Sequence, residues 1–306
     1  MKRLFLLFLL TIAATTISFA QGKKAKDSAF RNSFETGYVR PLSERMPVTT
    51  KWTLLQGEAV VANHHISNQE YTGDVIGFEA KHGRFYRKSD RLSWQLTLTH
   101  LRRMHRDKFG GGLENPGKTS VLSTQSYEAD YAVFYNWLLF DRLQLRAGGS
   151  FNVNGGFFFN AKNSMNNVIS VDMQTQLLAA AQIRYGWDFK RFGLDIYGNV
   201  ATPFMGFVGA DTRYETFYES IANLPFYADE TKHLVFSAPH NLQGVNFEMG
   251  VDFALRNISL SLSFESRNRW WSAYELQNYR KYSLLKLGVS VNLFSQQKLK
   301  SGDRHF

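Results

Sequence analysis

The chain contains no cysteine among its 306 residues. Without disulfides, an exported protein of this length has to be held together by ordinary packing or by a closed hydrogen-bonded sheet. After residue 19 no apolar run approaches the length of a membrane-spanning helix, so we expect none. Metal-ligand spacing, a phosphate-binding glycine fingerprint and a nucleic-acid-binding module are also missing. We therefore expect no metal, no cofactor and no nucleic acid partner.

The first 20 residues have the pattern of a secretory signal peptide. Positive charge at Lys2 and Arg3 precedes an apolar run from Leu4 to Phe19. Small residues close the run, so we expect cleavage after Ala20. The mature chain would then carry 34 basic and 26 acidic side chains, since two of the 36 basic residues are removed. We interpret residues 21–48 as a periplasmic N-terminal segment.

Apolar and polar residues alternate strictly along much of the remaining chain, and most clearly in its C-terminal half. This alternation is typical of strands with two different faces. It is strongest in the segments Leu92–Thr99, Tyr127–Trp137, Leu143–Gly148, Leu177–Trp187, Phe192–Val200, Val245–Leu255, Ile258–Glu265 and Leu285–Leu293. With two weaker segments, Trp52–Ala62 and Asp74–Phe85, the pattern predicts ten strands. Twelve strands are the alternative if Phe34–Val39 and part of Phe207–Gly244 also pair.

The predicted connections alternate between short and long. Short turns fall near residues 87–90, 141–142, 190–191 and 256–257, and long polar loops at Asn63–Thr72, His105–Ser123, Asn154–Gln174, Phe207–Gly244 and Arg269–Lys281. This rhythm is typical of antiparallel up-and-down transmembrane β-barrels, which have tight periplasmic turns and larger outside loops. We expect an all-β barrel over residues 49–294, both termini in the periplasm, and a periplasmic polar tail at 295–306.

The polar face of these strands carries many charges, which distinguishes the pattern from that of a soluble β-sandwich. A sandwich places an uncharged apolar face inside, whereas a barrel in lipid can turn its charged face toward the lumen. The predicted lumen network comprises Glu128, Asp130, Arg146, Arg184, Asp195, Glu248, Asp252, Glu265 and Lys286, and Arg267 shares the same face. In a narrow lumen these charges are expected to pair and fill the interior. A narrow polar channel is the alternative.

The last predicted strand, from Lys286 to Leu293, resembles the assembly signal on the final strand of outer-membrane barrels. The mature chain as a whole resembles uncharacterised outer-membrane β-barrel proteins of Gram-negative bacteria. This resemblance implies a location in the cell outer membrane and an encounter with the barrel-assembly machinery. Outer-membrane lipids are expected partners, and the basic residues Arg102, Arg103, Arg106 and Lys108 form either a solvated rim or a contact with lipopolysaccharide phosphates. We expect a monomer.

One short motif, at residues 64–68, suggests an enzymatic alternative. His65 and Ser67 are two residues apart, so in a strand they would share a face, and a histidine beside a serine can activate its hydroxyl. The motif resembles that of the outer-membrane phospholipase A and lipid A deacylase barrels. That resemblance implies His65 as base, Ser67 as nucleophile and Asn68 as a polar neighbour. A solvated polar loop is the simpler interpretation, and we expect a structural or loop-mediated binding protein.

Overall fold

The computed structural model describes residues 49–63, 70–86, 91–107, 121–139, 142–160, 169–189, 192–209, 234–255, 258–273 and 276–291. Eleven strands make up these segments: β1 (Thr49–Asn63), β2 (Glu70–Phe85), β3 (Leu92–Asp107), β4 (Val121–Leu139), β5 (Leu143–Asn160), β6 (Ile169–Asp188), β7 (Gly193–Gly209), β8 (Leu234–Ser237), β9 (Leu242–Leu255), β10 (Ile258–Ala273) and β11 (Leu276–Val291). No helix long and apolar enough to cross a membrane occurs in these segments.

Ten of the strands close into one antiparallel barrel, which confirms the predicted fold. The order around the barrel is β6-β5-β4-β3-β2-β1-β11-β10-β9-β7, and β7 pairs with β6 to complete it. The short strand β8 pairs only with Gly206–Gly209, beyond the region where β7 pairs with β9. Part of the predicted Phe207–Gly244 loop is therefore strand, but it does not add an eleventh strand to the closed barrel. The other proposed extra strand, Phe34–Val39, lies outside the described residues.

The stagger of the strands defines the width of the barrel. We follow paired residues from strand to strand once around the barrel, starting at Tyr185 on β6 and passing Leu54 on β1. The path returns to β6 at Met173, so the stagger, or shear, of the barrel is 12 residues. With ten strands, this stagger corresponds to a strand tilt of about 40° and a barrel radius of about 10 Å. An interior of that width can be filled by side chains.

Two predicted long loops are wrong, because the strands continue through them. Strand β5 runs to Asn160 and β6 already begins at Ile169. Likewise, β10 runs to Ala273 and β11 already begins at Leu276. Near residue 158 both faces of β5 carry phenylalanine, and from Glu265 to Arg269 both faces of β10 are polar. The alternation that indicates a strand disappears in both places, although the backbone pairing continues.

The two ends of the barrel differ in their connections. We call the end at which β1 begins and β11 ends the terminal end, and the opposite end the loop end. Described strands at the terminal end are separated by two to six residues, as between Leu139 and Leu143. At the loop end, 24 residues separate Gly209 from Leu234.

Candidate functional site: the charged interior

Lys286 lies at the centre of the interior, surrounded by carboxylates from three strands. Its Nζ is 2.9 Å from Glu79 Oε2 on β2, 3.2 Å from Glu265 Oε2 on β10 and 3.4 Å from Glu248 Oε1 on β9. Lys81 approaches the same group, at 3.7 Å from Glu79 and 3.9 Å from Glu248. Because every second residue of a strand points inward, these side chains from separate strands converge on one centre.

A second set of ion pairs crosses the full width of the barrel. Arg267 Nη1 donates to Glu128 Oε2 at 2.7 Å, and Arg269 Nη2 donates to Glu128 Oε1 at 2.8 Å. Asn152 Nδ2 also donates to Glu128, at 2.7 Å. Arg267 simultaneously binds Glu265 on its own strand through two nitrogens, at 2.6 and 3.0 Å. This forked contact joins the second set of ion pairs to the group around Lys286.

A third charged group lies nearer the terminal end. Arg184 Nη1 on β6 is 2.9 Å from Asp252 on β9 and 3.5 Å from Asp195 on β7. From β1, Lys51 Nζ is 3.6 Å from Asp252 and donates to the Tyr197 hydroxyl at 3.2 Å. The Tyr197 hydroxyl in turn donates to Glu248 at 3.2 Å, which links this group to the one around Lys286.

Two of the predicted lumen residues have other surroundings. Arg146 donates to Gln182 at 2.7 Å and to Ser93 at 3.0 Å, and its guanidinium lies 4.3 Å from the centre of the Phe134 ring. Asp130 lines a cavity of about 110 Å³ together with Glu128 and others. A cavity of this volume holds a few water molecules. The structure thus brings all nine predicted residues to the interior, in three ion-paired groups and these two outlying positions.

Apolar side chains fill the interior near the loop end. Val61, Tyr71 and Phe158 form one buried cluster, and Val208, Leu242 and Trp271 form another. The Arg280 guanidinium lies 5.0 Å from the Phe158 ring and 4.9 Å from the Trp271 ring, between the two clusters. Trp271, although it lies near the end of β10, faces inward with 4% of its surface exposed.

The sequence-based network omitted several residues that the structure places in these groups. Glu79 and Lys81 lie on β2, whose outward face carries Asp74 and whose alternation is weak. Lys51 begins another weakly alternating strand, and Arg269 lies in the region predicted as a loop. The pattern that could have identified these residues is a charge at every second position, as at Glu79 and Lys81 and in the run Glu265, Arg267 and Arg269.

The charges of the interior are paired with one another. Within the three groups, carboxylates are matched by lysine or arginine, so their charges are neutralised in place. Among the described residues, no three histidine, aspartate or glutamate side chains are arranged to hold a metal ion. The candidate catalytic residues His65, Ser67 and Asn68 lie outside the described residues.

The fold and interior define a closed ten-stranded β-barrel with a charged core and an apolar outer surface. The chain belongs to the family described as "Protein of unknown function (DUF3316)", whose model matches residues 4–298. A search of curated protein sequences gives no significant match.

Similar solved structures include other barrels. One is the outer membrane protease OmpT from Escherichia coli, at 8% identity and a TM-score of 0.38, covering 80% of this chain and 96% of that one. Another is the translocator domain of the autotransporter NalP from Neisseria meningitidis, at 7% identity and a TM-score of 0.33, covering 94% and 99%. Neisserial surface protein A matches at 10% identity and a TM-score of 0.33, covering 80% and 97%.

Proposed function

We propose that the protein is an integral outer-membrane barrel that does not conduct, and that it works as a structural scaffold for the segments at its loop end. The observation that carries this proposal is the ion pairing across the barrel. Glu128 on one wall binds Arg267 and Arg269 on the other, and Lys286 joins three further carboxylates. Buried ion pairs that cross a narrow lumen occupy space that a water-filled path would need.

The outer surface supports the membrane location. Among the described residues, 32 large apolar side chains are exposed, including Leu262 at 51% and Leu287 at 45%. Soluble monomers rarely expose continuous apolar patches larger than a few hundred Å². We call the outward-facing apolar residues the apolar belt. On β10 its continuous part runs from Ile258 to Phe264, and Ser266 and Asn268 separate this part from Trp270. Aromatic pairs typical of a membrane interface lie at its terminal-end edge, Tyr135 with Trp137 and Tyr185 with Trp187.

The narrow-channel alternative depends on interior charges that line water instead of each other. Arg184 pairs with Asp195 and Asp252, and Glu248 pairs with Lys286. A cavity of about 110 Å³ lies among these groups. The pairing therefore favours a filled barrel over a conduit.

The scaffold role rests on the connection at the loop end. The 24 residues between β7 and β8 exceed the usual length of a loop without a function or structure of its own. We propose that this segment, and not the interior, meets the partner. We propose that the barrel is surrounded by outer-membrane phospholipid and lipopolysaccharide and that the barrel-assembly machinery inserts it. We also propose that it is a monomer.

Recording from the purified barrel in a planar lipid bilayer tests the proposal. We expect insertion without steady conductance. Insertion is verified independently by the heat-dependent gel mobility typical of membrane barrels and by flotation with lipid vesicles. Steady, reproducible conductance from barrels that have inserted would overturn the filled-lumen proposal. A chain that folds but does not float with vesicles would overturn the membrane location.

The lipid-hydrolase alternative stays a prediction of the sequence, since His65 and Ser67 lie outside the described residues. Its test is the release of fatty acid from phospholipid or lipopolysaccharide by the purified barrel. Equal release by the wild type and the Ser67→Ala variant would eliminate that mechanism.

A further inference from the structure

One carboxylate that lines the interior cavity of about 110 Å³ has no ion pair. The other carboxylates of the interior groups described above each lie within 4.0 Å of a lysine or arginine nitrogen. Asp130 on β4 has no such neighbour among the described residues, and it is half-buried. It is therefore the exception to the pairing of carboxylates in the interior.

The charges around the cavity do not cancel. Five carboxylates and three cationic side chains line it: Glu79, Glu128, Asp130, Glu248 and Glu265, and Lys81, Arg267 and Lys286. Arg269 binds Glu128 without lining the cavity, and it is a fourth cation. Five negative and four positive charges leave one negative charge in excess, and a charge inside a protein is unfavourable without a counter-ion.

Two interior arginines pair with no carboxylate among the described residues, but both lie too far away to supply the missing charge. Thr97 on β3 is paired with Asp130, and Arg103 lies six residues further along β3. Arg146 is paired with Asn136, six residues from Asp130 along β4 in the opposite direction. Six residues of strand span about 20 Å, so neither guanidinium contacts the carboxylate.

The amide oxygen beside Asp130 lacks a hydrogen-bond donor. Asn152 on β5 is the cross-strand neighbour of Asp130, lines the same cavity and is 1% exposed. Its Nδ2 donates to Glu128 at 2.7 Å, whereas its Oδ1 receives no hydrogen bond among the described residues. Thr97 and Ser150 add hydroxyl oxygens to the lining on the neighbouring strands. The cavity thus offers acceptor oxygens next to the unpaired negative charge.

We propose that the cavity binds one monovalent cation of the size of sodium, with the Asp130 carboxylate, the Asn152 amide oxygen and water as its ligands. Alkali cations bind oxygen ligands that replace part of their hydration shell, and the cavity has room for an ion with a few water molecules. The single excess negative charge matches an ion of charge +1. One carboxylate forms no spacing pattern, which is why the sequence does not indicate this site.

A divalent ion matches the cavity less well. Calcium takes about six to eight oxygen ligands, commonly with several carboxylates among them. Among the described residues, no three acidic or histidine side chains are arranged to hold a metal ion. The carboxylates around Asp130 are already bound to lysine or arginine, so only one charge is left for the ion.

The bound ion is compatible with a barrel that does not conduct. The apolar clusters that contain Val61 and Val208 fill the interior near the loop end. We therefore expect the ion to enter and leave at the terminal end. The inference depends on the interior alone, and not on the membrane location or on the role of the loop end.

Urea unfolding of the purified barrel in detergent micelles tests the inference, with sodium chloride replaced stepwise by N-methylglucamine chloride at constant ionic strength. N-methylglucamine is an organic cation too large for the cavity. We expect sodium to lower the unfolding equilibrium constant of the wild type along a saturable curve, about tenfold at ten times the dissociation constant. Asp130→Asn should abolish this dependence, because it removes the excess charge and keeps the shape of the side chain.

Asp195→Asn is the matched control. It makes the same chemical change at an interior carboxylate that is paired with Arg184 and does not line the cavity. We expect it to lower the stability but to keep the sodium dependence. An equal response to sodium by the wild type and by Asp130→Asn would overturn the inference. A wild type that does not respond to sodium would also overturn it, and would leave a proton as the counter-charge of Asp130.

Crystals of the barrel grown with rubidium chloride locate the ion directly, because rubidium replaces sodium at such sites and scatters anomalously. We expect an anomalous peak beside the Asp130 carboxylate in the wild type and none in Asp130→Asn. A cavity without a peak, or a peak that persists in the variant, would contradict the assigned ligands.

Discussion

Glu128 and Arg267 are joined at 2.7 Å although their strands lie on opposite walls of the barrel. Four strands separate β4 from β10 in either direction around the barrel. A contact of this kind fixes the distance between opposite walls, which the hydrogen bonds between neighbouring strands do not do. It therefore gives the charged interior a mechanical role, that of holding the cross-section of the barrel.

Removing the charge of Glu128 should destabilise the barrel. Arg267 and Arg269 would lose a shared carboxylate at 2.7 and 2.8 Å while remaining buried. For Glu128→Gln we expect a loss of about 3 kcal/mol in the free energy of unfolding, the scale measured when one partner of a buried ion pair is removed. Urea unfolding in lipid vesicles, followed by tryptophan fluorescence, measures it.

Glu58→Gln provides the control for that experiment, because it makes the same chemical change on the outward face of β1. Glu58 is exposed, and exposed substitutions of this type usually change stability by less than about 0.5 kcal/mol. Similar unfolding midpoints for the two variants would show that the pairs across the barrel do not hold it together.

The sequence predicts the architecture because the two faces of a membrane strand require different residue types, which then alternate along the chain. On β9, Phe247, Met249 and Val251 face outward while Glu248 and Asp252 face inward, so strand, face and charge can all be assigned from alternation. The same rule fails on β2, where Asp74 lies outward and Val75 inward. Glu79 and Lys81, which are central to the interior, are hidden by that irregularity.

Pairing partners could not be predicted, since they depend on the stagger of the strands around the whole barrel. The identity of Lys286 indicates a charge that faces inward, but not which carboxylates surround it. Its contacts with Glu79 and Glu248 join residues 207 and 38 positions apart in the chain. The extent of β10 was likewise hidden, because Ser266 and Asn268 on its outward face end the apolar pattern before the strand ends.

A double-mutant cycle on Lys286 and Glu79 should reveal direct coupling. We compare Lys286→Met, Glu79→Gln and the double variant, and expect the two effects to be non-additive by roughly 0.5–3 kcal/mol, as for residues in contact. Lys286→Met should be the more harmful single change, because it also leaves Glu248 and Glu265 without this lysine.

Lys281→Met is the matched change on the same strand, at an exposed outward position. Combined with Glu79→Gln it should give additive effects. Additivity of the Lys286 and Glu79 variants as well would contradict the direct contact at 2.9 Å.

Gly288→Ala should disturb the interior through Lys51. A Cβ at residue 288 would clash with Ser261 Oγ and would lie 2.9 Å from Lys51 Cε and 3.0 Å from Thr53 Oγ1, all of them side-chain atoms. Moving Lys51 aside weakens its contacts with Asp252 and Tyr197. We expect a loss of about 1–3 kcal/mol, typical of overpacking, measured as a lower urea midpoint.

Gly198→Ala tests whether that loss is specific to the crowded position. Its added methyl group has room, so we expect an unchanged or slightly raised stability, because alanine restricts the unfolded chain. Equal destabilisation by Gly288→Ala and Gly198→Ala would contradict this prediction. It would mean that replacing a strand glycine is harmful in itself, without displacement of Lys51.

The depth of the apolar belt can be tested with one strand. Leu262 and Ser266 both face outward on β10, but Leu262 lies within the apolar belt, 51% exposed, and Ser266 lies just beyond it. An arginine on the lipid face of a barrel costs about 2–4 kcal/mol at the middle of the bilayer and about 0–1 kcal/mol near its edges. We therefore expect Leu262→Arg to lower the free energy of unfolding in vesicles by about 2 kcal/mol or more, and Ser266→Arg to change it by less than about 1 kcal/mol. In a barrel surrounded by water, the arginine at either position would be solvated, and the two variants would differ little. Equal stability of the two variants in vesicles would therefore contradict the membrane location, whereas a difference of about 2 kcal/mol or more would support it.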